Sequence, residues 1–127
     1  MIDHIGIKVS DLERSIAFYE KALGVIGYRR IKGRNAFTLG KPEDVNGCGS
    51  VWLSQRSENK KLTQNIHIAF KVKDIEVVKK FYDVAIAAGG RDNGEPGLCP
   101  EYDENYYGGF VFDPDGNNIE AMTILKI

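Results

Sequence analysis

Two short apolar runs, HIGIKV at positions 4–9 and HIAFKV at 67–72, open two stretches of chain with the same patterning. Both are rich in β-branched and apolar residues, which predicts strands. An aspartate follows each run, Asp11 and then Asp74, and its carboxylate can accept from the free N–H groups of a helix's first turn. Ser10 with Glu13 also fits a capping box. Apolar residues then recur at helical spacing, as Leu12, Ile16, Tyr19 and Leu23 in the first stretch and as Ile75, Val78, Tyr82 and Ile86 in the second. Each helix is expected to stop at glycine, Gly24 and Gly27 or Gly89 and Gly90, because glycine takes the left-handed backbone that ends a helix cheaply.

The two stretches are copies. Shifted by 63, residues 4–27 fall onto 67–90 with ten identities: His4, Ile5, Lys8, Val9, Asp11, Glu13, Phe18, Tyr19, Ala22 and Gly27 all meet the same residue type. Composition alone predicts roughly one or two such matches over that length. Further short strands are expected at 28–32, 36–39 and 50–54 in the first copy. In the second they are expected at 107–112 and 119–124, with a shorter one just after Gly90. Asp113-Pro114-Asp115-Gly116-Asn117 reads as a turn between strands. The polar segment 55–65 reads as a linker, and 93–105, with Gly94, Pro96, Gly97 and Pro100, as an irregular loop. The expectation is an α+β protein of two tandem β-α-β-β-β modules forming one curved mixed-sheet domain over 1–127. Module one spans about 1–55 and module two about 66–127.

Composition narrows the function. The net charge of -1 offers no basis for a nucleic-acid partner, and the basic pairs Arg29-Arg30 and Lys60-Lys61 read as solvated surface. No apolar run nears the ~20 residues that span a bilayer, and the first residues have no signal-peptide pattern, so a cytoplasmic protein without membrane contact is expected. Cys48 and Cys99 lie in separate loops and form no C-x-x-C pair, so neither a disulfide framework nor an activated nucleophile is expected.

Candidate chemistry follows from the duplication. The chain has two histidines, His4 and His67, and the repeat superposes them. Each opens a first strand, so two modules related by a pseudo-twofold axis can bring both imidazoles to one point. The last strands also match, Gly-Ser-Val-Trp-Leu against Asn-Asn-Ile-Glu-Ala, which sets Trp52 opposite Glu120. Glu120 sits on an otherwise apolar strand, and a buried carboxylate needs a partner. Two imidazoles and one carboxylate make a facial triad that leaves coordination positions open. The alternative is that the histidines are kept for packing.

These residues resemble the vicinal oxygen chelate superfamily, whose members include glyoxalase I, fosfomycin-resistance thiol transferases, extradiol dioxygenases and bleomycin-binding proteins. The resemblance rests on Asp3-His4-Ile-Gly-Ile-Lys-Val-Ser-Asp-Leu-Glu-Arg-Ser-Ile-Ala-Phe-Tyr19 with Leu23-Gly24, on His67-Ile-Ala-Phe-Lys-Val, and on Phe112-Asp-Pro-Asp-Gly-Asn-Asn-Ile-Glu120. It covers nearly the whole chain. It implies a glyoxalase/bleomycin resistance/dioxygenase-like fold, commonly homodimeric, around a divalent metal (Zn, Mn, Fe or Ni). The ligands fall on His4, His67 and Glu120, with Glu120 also a catalytic base.

The metal would act on a small oxygen-chelating substrate, in lyase/isomerase, thiol-transferase or dioxygenase chemistry. Trp52, Tyr102, Tyr106 and Tyr107 are candidates for the substrate wall. The chain departs from the glyoxalase I pattern at Trp52, where a fourth, usually carboxylate, ligand is expected; indole cannot ligate a metal. The segment 99–107 is acidic and aromatic where fosfomycin-type members are Ser/Gly-rich, and there is no third histidine of the extradiol kind. The competing reading is a metal-free small-molecule-binding module like the bleomycin-sequestering members. A purely structural or partner-binding dimer is a third.

Overall fold

A computed structural model describes residues 2–31, 37–42 and 50–126. The order is β1 (His4–Val9), α1 (Leu12–Gly24), β2 (Arg29–Ile31), β3 (Phe37–Gly40), β4 (Ser50–Gln55), β5 (His67–Lys71), α2 (Ile75–Ala87), β6 (Arg91–Leu98), β7 (Tyr106–Phe112) and β8 (Asn118–Ile124). They form two four-stranded mixed sheets of the same topology, β1-β4-β3-β2 and β5-β8-β7-β6. In each, the first strand runs parallel to the last and the remaining pairs are antiparallel. This is the expected duplicated α+β fold. Lys32, Ala36 and Cys48 lie outside the described residues.

The local signals act as physics requires. The Asp11 and Asp74 carboxylates cap α1 and α2 by accepting from the backbone N–H of Arg14 (3.2 Å) and Val77 (3.0 Å). Ser10 does not form the expected box. Its hydroxyl instead donates to Asp115, at the turn before β8, and so ties module one to module two. Gly27 and Gly89 hold φ of 96° and 106°, the left-handed backbone expected past each helix end. Gly90, the repeat partner of Gly27, is kept for space: a Cβ there would lie 2.8 Å from both the Ala85 carbonyl and the Phe18 ring.

One expectation fails. Residues 93–98 are not loop but the second half of β6, which carries Gly94 at φ 146° and register shifts between Asp92 and Gly94 and between Gly94 and Gly97. β6 is a sheet edge, where bulges absorb glycines and a proline lacking an N–H costs little pairing.

The helices and one face of each sheet share a core. It includes Ile7, Val9, Phe18, Tyr19, Leu23, Leu39, Val51 and Leu53 from module one, and Phe81, Ala85, Val111, Ile119 and Ala121 from module two. The alternation of strand residues therefore turns His4 on β1, and His67 and Glu120 on β5 and β8, to the sheet faces away from that core. The modules are also joined by a buried polar contact. The Tyr19 hydroxyl donates to Asp113 Oδ2 at 2.5 Å, while Asp113 Oδ1 accepts from the backbone N–H of Asp115 and Asn117 (both 2.9 Å). Burial first, and then the Asp113 charge, push the Tyr19 phenol well above the usual tyrosine range, so it stays a donor. Tyr19→Phe removes a hydrogen bond to a buried carboxylate and is expected to lower unfolding stability by about 1.5–3 kcal/mol in urea denaturation. A loss below about 0.5 kcal/mol, the size of an ordinary surface change, would contradict that role.

Candidate metal centre

The parallel pairs place the candidate ligands in matching slots. In module one His4 lies opposite Ser50, and Gly6 opposite Trp52; in module two His67 lies opposite Asn118, and Ala69 opposite Glu120. Trp52 and Glu120 thus occupy equivalent positions, each the diagonal neighbour of its module's histidine. The same slot holds different chemistry in each copy. The His4 and Trp52 rings stack at 3.5 Å between centroids and 6° between planes. In module two His67 Nε2 meets Glu120 Oε1 at 2.8 Å.

His4 is oriented from both sides. Trp52 covers one ring face, and Nδ1 lies 2.8 Å from Asp3 Oδ1. A carboxylate at Nδ1 assigns the proton to that nitrogen and leaves Nε2 with its lone pair, the arrangement a metal-ligating histidine uses. Asp3, the residue preceding His4, is a supporting group that the sequence pattern did not single out.

Glu120 is 1% exposed although it lies on the face away from the core. His67 Nε2 contacts one carboxylate oxygen, and the Tyr106 hydroxyl donates to the other, Oε2, at 2.5 Å. Burial and then the hydrogen bond to Glu120 hold the Tyr106 phenol well above its usual range. Two donors each about 2.1 Å from one ion and at right angles lie about 3.0 Å apart. The His67–Glu120 contact, at 2.8 Å, is a hydrogen bond slightly shorter than that separation, so a small opening of the pair would admit a divalent ion between the two donors. The third candidate is elsewhere: among the described residues no three His, Cys, Asp or Glu side chains of one chain gather closely enough to hold a metal. The side chains of His4 and His67 remain 39% and 46% exposed, each on its own sheet.

The tyrosines separate. Tyr106 is on the Glu120 face, and Tyr102 packs edge-on against it with centroids 5.1 Å apart. Strand alternation turns Tyr107 to the opposite face. A cavity of about 420 Å³ opens beside the pair, lined by Glu95, Cys99, Glu101, Tyr102, Phe110 and Asn118 among others. Phe110 lies directly across from Glu120. The Cys99 thiol donates weakly to the Gly97 carbonyl (3.7 Å), and burial, then the charges of Glu101 and Glu120, raise its pKa. It is held as a thiol and not as an activated thiolate, in keeping with the expectation from its sequence context.

The geometry agrees with what the chain resembles. The sequence profile of the Glyoxalase/Bleomycin resistance protein/Dioxygenase superfamily matches residues 1–121. The chain is 32% identical to the metallothiol transferase FosB of Lysinibacillus sphaericus (strain C3-41), over 96% of this chain and 81% of that protein. It is 29% identical to a probable trivalent organoarsenical cleaving enzyme of Bacillus subtilis (strain 168), over 92% of this chain and 75% of that one. Among solved structures, a glyoxalase/bleomycin resistance protein from Albidiferax ferrireducens T118 superposes with a TM-score of 0.80 at 25% identity, covering 98% of this chain and 99% of that one. An E144Q mutant of glyoxalase I from Zea mays gives 0.72 at 25% identity, covering 95% of this chain and 44% of that one. No helix among the described residues is long and apolar enough to cross a membrane. With the profile spanning nearly its whole length and the duplicated fold in place, the chain belongs to the Glyoxalase/Bleomycin resistance protein/Dioxygenase superfamily.

Proposed function

We propose that this protein is a metal-dependent enzyme acting on a small molecule, and that its divalent ion is held by His67 and Glu120 of one copy with His4 of a second. The observation that carries this is the His67–Glu120 contact: a carboxylate 1% exposed, on the outward face of its sheet, with an imidazole nitrogen 2.8 Å away. Burying such a carboxylate costs several kcal/mol unless it is paired or coordinates a cation. His4, pre-oriented by Asp3 and Trp52, presents its free Nε2 on an outward face of its own. Each chain therefore carries two incomplete halves. A twofold dimer that sets module one of one copy against module two of the other makes two equivalent sites.

The ion, when bound, would supply Lewis acidity toward two oxygens of a substrate. Glu120 would hold the ion and serve as the base nearest the substrate. Its cross-strand neighbour Phe110 and Tyr102 would wall the adjoining cavity, with Trp52 beyond His4. Tyr106 is engaged with Glu120 and Tyr107 faces away, so the wall would be narrower than the four aromatics suggested by the sequence. Among the described residues the cavity is lined by Glu95 and Glu101 and by no lysine or arginine, which favours a neutral or cationic substrate over an anionic one. The curated relatives, a metallothiol transferase and an organoarsenical cleaving enzyme by name, support metal and thiol chemistry as the class to test.

The test is complementation. His4→Ala and His67→Ala chains, differently tagged, are co-expressed and the mixed dimer is isolated. One of its two sites then has both defects and the other has none, so zinc binding at about half the wild-type stoichiometry is expected. Each homodimer should lose tight binding. A mixed dimer that binds no zinc, or a His67→Ala homodimer that binds as wild type does, would contradict the shared site.

A further inference from the structure

We propose that Tyr106 and Gly108 are a positioning device that fixes Glu120 so that it offers one oxygen, Oε1, to the ion. The inference rests on the metal reading above and deepens it. In the β7–β8 ladder Phe110 lies across from Glu120, Gly108 from Met122 and Tyr106 from Ile124, so Tyr106 and Gly108 share the face of Glu120. Two independent contacts converge on the same oxygen. The Tyr106 hydroxyl donates to Oε2 at 2.5 Å. A Cβ built on Gly108 would lie 2.9 Å from that Oε2 and 3.3 Å from the Tyr106 ring. The missing side chain of Gly108 is thus the slot that receives Oε2, and Tyr106 closes it.

Oε1, on the other side of the carboxyl group, is left facing His67 Nε2. A glutamate has three side-chain torsions to lose when it becomes a ligand, and fixing them beforehand leaves less to be lost on binding. Tyr106 is therefore a support for the ligand, not a contact for the substrate. Tyr102 packs edge-on against its ring and occupies the outer side.

The experiment uses Tyr106→Phe in the full chain and zinc titration in competition with a chromophoric chelator. Loss of a supporting hydrogen bond is expected to weaken zinc binding about 10- to 100-fold. A double-variant cycle in urea denaturation of the metal-free protein isolates the contact: if Tyr106 acts through Glu120, the cost of Tyr106→Phe should largely vanish in a Glu120→Ala background. Gly108→Ala, which places a methyl where Oε2 lies, should weaken binding as Tyr106→Phe does. An affinity unchanged within about twofold, or losses that simply add, would overturn the proposal. A readout free of metal distinguishes its failure from failure of the metal reading. The ¹³C carboxyl resonance of Glu120, assigned by its disappearance in Glu120→Gln, should shift in metal-free Tyr106→Phe protein. If wild type binds no zinc, the metal reading fails and this resonance alone decides whether Tyr106 holds the carboxylate; an unmoved resonance rejects it.

Discussion

The burial of one carboxylate organises the second module of this molecule. Glu120 sits in an apolar strand on the side of the sheet away from the core, and is nonetheless closed off from water. Such a group persists only where its oxygens are satisfied, and here each oxygen has its own partner: His67 at Oε1, Tyr106 at Oε2. Those two partners lie on β5 and β7, on either side of the β8 strand that carries Glu120, so the carboxylate ties three strands of the second sheet together. The absence of a side chain at Gly108 belongs to the same requirement.

The two copies of the module have diverged at this one slot. Position 52 in β4 and position 120 in β8 are equivalent in register, yet the first holds an indole stacked on His4 and the second a carboxylate paired with His67. A stack orients an imidazole without competing for its lone pair. An adjacent carboxylate orients it and adds a donor of its own. The duplication therefore provides two histidines held by different means, one supported only and one paired with a second donor.

Much of this was legible in the sequence. The 63-residue shift exposed the modules, the aspartates after each first strand named the helix starts, and the matched last strands set Trp52 against Glu120. What escaped did so for physical reasons. The second half of β6 was hidden because glycine and proline at residues 94–97 signal a loop, whereas an edge strand tolerates both through bulges. Alternation told which face His4 and His67 occupy but not that one shared core would point those faces apart. Tyr106 read as a wall residue, since its contact with Glu120, 14 positions away, depends on the length of the β7–β8 hairpin. Asp3 gave no periodic signal at all, being a neighbour in sequence that acts through a hydrogen bond to the ring.

The central claim is that His4 and the His67–Glu120 pair, on separate faces of the chain, serve one ion. Trp52 is the sole tryptophan and lies against His4, so its fluorescence reports on that imidazole. Titration with Co²⁺, a paramagnetic quencher, is the most direct measurement. The account predicts quenching of Trp52 that saturates with calorimetric binding and disappears in Glu120→Gln, a substitution on the other sheet. Calorimetric binding at Glu120 that leaves Trp52 emission unchanged would contradict it.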